Sequence, residues 1–152
     1  MPRQALTFRT RIISNRIPQV IARLQDNTRA TVLQAAQDFR TTANQLAPRD
    51  TGSLASSIYV NDGESSDYGE RVGAAQALNR EVVILPEIAP EFVISLSGGD
   101  ASTGVVVGVA ASHGIFQEFG TRYMAAQPFM TPAVLRTEIS FTNDMMHVAD
   151  DL

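Results

Sequence analysis

Between residues 17 and 46, apolar and small side chains return every three to four positions. Ile17, Ile21, Leu24, Thr28, Val32, Ala35, Phe39, Ala43 and Leu46 fall on one face at helical spacing. The pattern predicts a long helix within residues 16–47, with Pro18 in its first turn and Ser14 or Asn15 as its cap. Thirty helical residues span roughly 45 Å. That is long for a chain of this size, so one end is expected to project and meet a partner. Leu33 falls on the polar side. Pro48 ends the run, because the residue before a proline disfavours helical angles.

The pattern then changes period. Asp50-Thr51-Gly52 reads as a turn, with Asp50 placed to cap amides and Gly52 suited to a positive φ. Residues 54 to 60 form the first strand candidate, entered through a helical turn. Residues 61 to 90 read as a long insertion whose polar first part, with Asp62, Glu64 and Asp67, is expected to be a mobile acidic loop. Within it, residues 80 to 85 have weak strand character before Pro86 and Pro90. EFVISLS (91–97) alternates as a strand, Gly98-Gly99-Asp100 signals a hairpin, and residues 104 to 111 supply the return strand. A short helix over 113–119 follows. A last helix runs from Thr131 as cap and Pro132 as first residue to about residue 149. Two apolar stripes compete for its inner face: Leu135, Ile139 and Met146, or Val134, Phe141, Met145 and Val148. The expected fold is a single α+β domain over residues 1–152. A basic arm (1–15) and the long N-terminal helix pack with a small antiparallel sheet containing a hairpin, plus a C-terminal helix.

Composition narrows the chemistry. The 152 residues include no cysteine, which excludes disulfides and thiolate chemistry, and no lysine, which excludes a Walker-type phosphate loop and Schiff-base catalysis. No apolar run approaches a membrane span, and the N-terminus lacks a signal-peptide core, so the chain is expected to mature in a cytoplasm. Charge is divided along the chain. Residues 1 to 49 hold eight arginines against Asp26 and Asp38 (8 − 2 = +6), and the remainder holds four arginines against fourteen acids (4 − 14 = −10). A basic arm suits nucleic acid or the acidic half of another copy.

His113 and Glu118 are the obvious acid–base candidates, but a five-residue separation does not put them on one helix face. His147 is remote, no HExxH pattern occurs, and Ser53, Ser56, Ser57 and Ser112 lack a nucleophile-elbow context. Gly98-Gly99 lies between strands, where a hairpin turn is favoured over a phosphate loop. The structural reading of Glu118 is therefore preferred, with local amides or an arginine such as Arg122 as its partner. No catalytic, cofactor-binding or metal residue is assigned. The helix arginines are dispersed (Arg16 and Arg23 on one side, Arg29 and Arg40 on another), which favours a solvated or protein-contacting helix over a specific nucleic-acid reader. Pro128 and Pro132 stiffen the chain around Phe129-Met130, making Phe129 an apolar anchor for its own core or for a neighbour.

Two stretches together resemble a known family: APRDTGSLASSI (47–58), and HGIFQEFGT (113–121) followed by MAAQPFMTPA (124–133). They are similar to the tail-completion, or head–tail joining, proteins of long-tailed bacteriophages, a group that includes minor tail protein Z-like chains. The likeness spans roughly residues 15 to 140 and rests on the order and spacing of the motifs. Its residues here are Pro48, Asp50, Thr51, Gly52, Leu54, Glu118, Phe119, Gly120, Thr121, Gln127, Pro128, Phe129 and Pro132. His113-Gly114 departs from a commoner Tyr-Ala pair, and residues 61 to 90 exceed what the family needs, suggesting a docking loop.

The resemblance implies a mechanical role rather than an enzyme, with no cofactor. It implies a virion protein of the neck, assembled in the host cytoplasm. There it forms a ring, expected to be a hexamer, joining connector or head-closure proteins to tail terminator or tail tube proteins. DNA would pass through the channel without sequence-specific contact, and no membrane is involved. A closed ring uses heterologous contacts, which the charge division and an open hairpin edge suit. The alternatives are a tail terminator capping the tail tube and a small DNA-binding protein using the arginine-rich half.

Overall fold

The computed structural model describes residues 16–87, 93–96 and 104–150. The order of elements is α1 (Ile17–Leu46), α2 (Ser53–Ser56), β1 (Ile58–Asn61), α3 (Tyr68–Leu78), β2 (Val93–Leu96), β3 (Val105–Val109), α4 (Gly114–Phe119) and α5 (Met130–Asp150). The α+β architecture is as expected: a long N-terminal helix, a small antiparallel sheet and a C-terminal helix. The expected hairpin turn at Gly98-Gly99-Asp100 and the arm over 1–15 lie outside the described residues.

The sheet has the order β1-β3-β2, with both pairings antiparallel. Its register sets the two faces. Ile58 opposes Val109 and Val60 opposes Val107, and these four side chains join Val32, Phe39 and Ala43 of α1 in the core. The alternate position pairs Tyr59 with Gly108. The Tyr59 ring lies across that glycine, so a Cβ there would stand 2.4 Å from the ring. Tyr59 also meets Tyr68 of α3 edge-to-face, with centroids 5.1 Å apart. One face of the sheet thus rests on the α1 core, and the other holds an aromatic pair with α3. The weak strand character expected at 80 to 85 is realised as a bridge between Ile84 and Ala111, with the Leu85 amide donating to the Ala110 carbonyl at 2.6 Å.

Along α1 the predicted apolar face divides in two. From Val32 onward it is buried, through Ala35, Phe39 and Ala43, whereas none of the first fifteen residues of the helix is buried. Arg16 occupies the N-cap without a side-chain cap bond, in place of the expected Ser14 or Asn15, and Pro18 lies in the first turn. For α5, tertiary packing selects the second of the competing stripes. Val134 and Phe141 pack against the core, Met145 and Val148 are half-buried, and Leu135, Ile139 and Met146 are exposed.

The expectation of a loop over 61 to 80 is corrected, because residues 68 to 78 form α3. The acidic residues before it make a tight Asx turn, with Asp62 Oδ1 accepting the amides of Glu64 (3.0 Å) and Ser65 (2.6 Å). Asp67 then ties the segment down. Its Oδ1 accepts the Val60 amide at 2.7 Å, and its Oδ2 pairs with Arg40 of α1 at 2.5 Å and Arg71 at 3.1 Å. Arg29 reaches Glu64 at 2.8 Å. Part of the basic helix is therefore matched by the chain's own acidic segment. Because the Asp67 cluster is only partly exposed, it contributes more than a solvated pair of the Arg29–Glu64 kind.

Candidate functional site

The two motif stretches converge. The chain leaving α1 turns at Pro48, Gly52 takes a φ of 79°, and α2 buries Leu54. Thr51, not Asp50, supplies the local cap: its Oγ1 accepts the Ser53 amide at 3.3 Å and donates to the Ser53 hydroxyl at 2.9 Å. This turn faces α4 across a cleft of about 190 Å³ lined by Pro48, Asp50, Thr51, Asn79, His113 and Gln117 among others. That is smaller than the roughly 300–1,000 Å³ of a drug-sized ligand pocket and matches a side chain better. Gln117 Oε1 is buried without a hydrogen-bond partner among the described residues. Burial lowers the pKa of His113, favouring its neutral form.

Beyond α4 the chain folds into a rigid corner. The Gly120 amide donates to the Phe116 carbonyl at 2.8 Å, closing the helix. Gly120 itself has φ 74° and ψ 179°, a region open essentially to glycine alone. A Cβ there would lie 2.7 Å from the Ala126 nitrogen and 2.9 Å from the Met124 oxygen. Thr121 and Met124 then bond reciprocally through their backbones, at 2.9 and 3.2 Å, and the Gln127 amide returns to the Gln117 carbonyl at 2.7 Å. Gly120→Ala is expected to cost about 2–3 kcal/mol from strain and collision. A thermal melt of the variant checks this, and an unchanged midpoint refutes the account.

Glu118 is the centre of the corner. Its residue is 5% exposed, yet its carboxylate is fully engaged. Oε2 accepts the amides of Phe129 (2.8 Å) and Met130 (2.9 Å), and Oε1 accepts the Thr131 amide (2.9 Å) and hydroxyl (2.5 Å). These amides belong to the start of α5, where the helix leaves N–H groups without internal partners and carries partial positive charge. Burial opposes the charge. The Thr131 hydroxyl and the three amides outweigh it and hold the carboxyl below its ordinary pKa. Thr131 is thus not the cap of the last helix, which begins at Met130. The carboxylate takes that role from eleven to thirteen residues upstream. Arg122 is not its partner; the guanidinium lies 4.5 Å from the Tyr123 ring centroid.

The other motif residues divide between anchor and surface. Phe129 is fully buried in the core cluster, Pro132 is half-buried, and Thr121, Gln127 and Pro128 are exposed. Phe119 and Tyr123 are 71% and 84% exposed, and Phe116 beside them is also exposed. Sequence reasoning did not single out Phe116, Tyr123 or Gln117, and it placed Asp67 only in an acidic loop. The spacing of Phe116, Phe119 and Tyr123 on a helix and its following turn was the available signal. Among the described residues no group of three or more His, Cys, Asp or Glu side chains is placed to hold a metal, and no helix is long and apolar enough to cross a membrane. Comparison with protein-family models, curated proteins and solved structures finds no match to this chain.

Proposed function

We propose that this chain is a structural virion protein of a long-tailed bacteriophage, a tail-completion or head–tail joining protein of the neck. The observation that carries the reading is the corner itself. Glu118, the carboxylate that with His113 invites a catalytic role, is consumed by four hydrogen bonds to the start of α5. What the corner offers outward is a set of exposed aromatic side chains, Phe116, Phe119 and Tyr123, with Arg122 over the last ring. Exposed aromatics and arginine on a rigid support are the composition of a protein-docking surface. The sequence resemblance supplies the setting in which such a surface would work, between a head connector and a tail.

The test uses DNA-filled tailless heads and separately assembled tails of the phage that encodes the chain. The wild-type protein is expected to bind heads or tails and to allow joining. Phe119→Ser combined with Tyr123→Ser should keep the wild-type melting midpoint and lose joining by at least about tenfold, since truncating docking aromatics typically costs more than 1 kcal/mol each. Binding to neither component refutes the neck reading, and full joining by the double variant removes the corner from it.

A further inference from the structure

The cleft between the α2 turn and α4 holds acceptors that its own residues do not use. Ser53 and Leu54 are its buried lining. The Thr51 and Ser53 hydroxyls bond each other at 2.9 Å, and Asn79 Oδ1 accepts the Glu81 amide at 3.0 Å. Two acceptors in the lining stand open. The exposed Asp50 carboxylate makes no ion pair among the described residues. Gln117 Oε1 is buried with no hydrogen-bond partner among them. A buried acceptor left unpaired costs stability, so one kept in the same cleft as an open carboxylate points to a donor from outside. His113 also lines the cleft; burial favours its neutral form, which adds no opposing charge. Arg49 and Arg80 are the chain neighbours of Asp50 and Asn79, but both are exposed and neither lines the cleft.

We infer that this cleft is a binding site for one arginine side chain, carried by the protein that docks on the aromatic corner. An open carboxylate calls for a cation, and a buried carbonyl oxygen calls for an N–H donor; a guanidinium supplies both. It is more weakly hydrated than an ammonium, so it enters a half-enclosed cleft at lower cost. A metal ion is poorly served, because Asp50 is the one acidic residue in the lining. The rim suits a side chain borne by a protein. Phe116 is exposed and lies three residues beyond His113, a neighbour of it on the helix surface. Leu78 is also exposed and lies beside Gly52 in the lining. An arginine seated in a pocket and ringed by apolar contacts is a common form of interface hot spot. The source of the arginine rests on the neck reading, whereas the chemistry of the cleft does not.

The test is an NMR titration of the full, isotope-labelled chain with N-acetylarginine amide. The probe should shift the backbone amides of Asp50, Thr51, Asn79, His113 and Gln117 together and saturate in the millimolar range. N-acetylcitrulline amide has a similar shape without the charge and should bind at least about tenfold more weakly. Asp50→Asn changes an exposed side chain, and Gln117→Leu removes an oxygen that bonds nothing among the described residues. Both should keep the fold by circular dichroism, and each should weaken probe binding by about tenfold. Arg49→Ala and Arg80→Ala should bind the probe at least as well as wild type. The absence of a saturable shift at these residues overturns the inference. So does a citrulline or lysine amide that binds as tightly, or Asp50→Asn that binds like wild type. With heads and tails, Asp50→Asn should lose joining by about tenfold at an unchanged melting midpoint. Wild-type joining by a variant that has lost the probe would mean that the cleft takes a free guanidinium compound, and overturns the assignment to a docking protein. Failure here is separable from failure of the neck reading: a chain that joins heads to tails without binding the probe sinks only the inference, and one that binds the probe but neither component sinks only the reading.

Discussion

Glu118→Gln is expected to lower stability by about 2–4 kcal/mol at neutral pH without removing any activity, because the carboxylate acts on the fold. Glutamine keeps one acceptor oxygen. Its amino group would face donors already present, either the Phe129 and Met130 amides or the Thr131 amide and hydroxyl. Two donors at the start of α5, buried in the first case and partly buried in the second, would then lose their acceptor. The pH dependence follows from the lowered pKa. The unfolded chain holds this carboxyl near the ordinary value of about 4.3. Its stabilisation is complete above that pH and is lost as pH falls through the lower folded value. The gap in unfolding midpoint between wild type and variant should be widest near neutrality and should narrow below about pH 4. Urea titrations of both proteins across that range check it. Equal midpoints at neutral pH, or a hydrolytic activity lost in the variant, would overturn the structural role.

The elements with strong periodicity were legible in the sequence. The bounds of α1 emerge within a residue because a thirty-residue apolar face ends at Ala47-Pro48. The alternation about residues 91–97 and 104–111 gave the antiparallel β2–β3 pair. Helix α3 was not legible. YGERVGAAQAL contains two glycines and buries only Ala75, so it carries almost no amphipathic signal. It is held instead by Tyr68 against Tyr59 and by Asp67 against Arg40, contacts with residues distant in sequence. The two stripes of α5 were equally apolar, and only packing against the core could choose Val134 and Phe141.

The candidate site was legible in its residues more than in its bonds. A carboxylate before Phe-Gly-Thr was recognisable as structural, but its partners are mainly backbone amides eleven to thirteen residues later. Backbone donors leave no mark in side-chain identity. Gly120 shows the same limit from the other side. Its identity is visible in sequence, but the need for it comes from the approach of Met124 and Ala126 across the corner. Corner geometry of this kind is set by the fold and cannot be read from local propensity.

Phe129→Ala is expected to destabilise by about 3–5 kcal/mol, the larger part from a cavity in the core. The side chain is fully buried among residues from α1, the sheet and α5, so the first turn of the last helix would lose its apolar anchor. The substitution keeps the amide that Glu118 accepts. Its effect therefore separates packing from capping, and a double-mutant cycle with Glu118→Gln measures how far the two act together. Both changes release the start of α5, so the double variant should lose less than the sum of the single losses, by roughly 0.5–3 kcal/mol. Strict additivity would mean that carboxylate and ring stabilise the corner independently. It would also remove the reason for treating Glu118, Gly120 and Phe129 as one device that seats α5 and holds the aromatic surface in place.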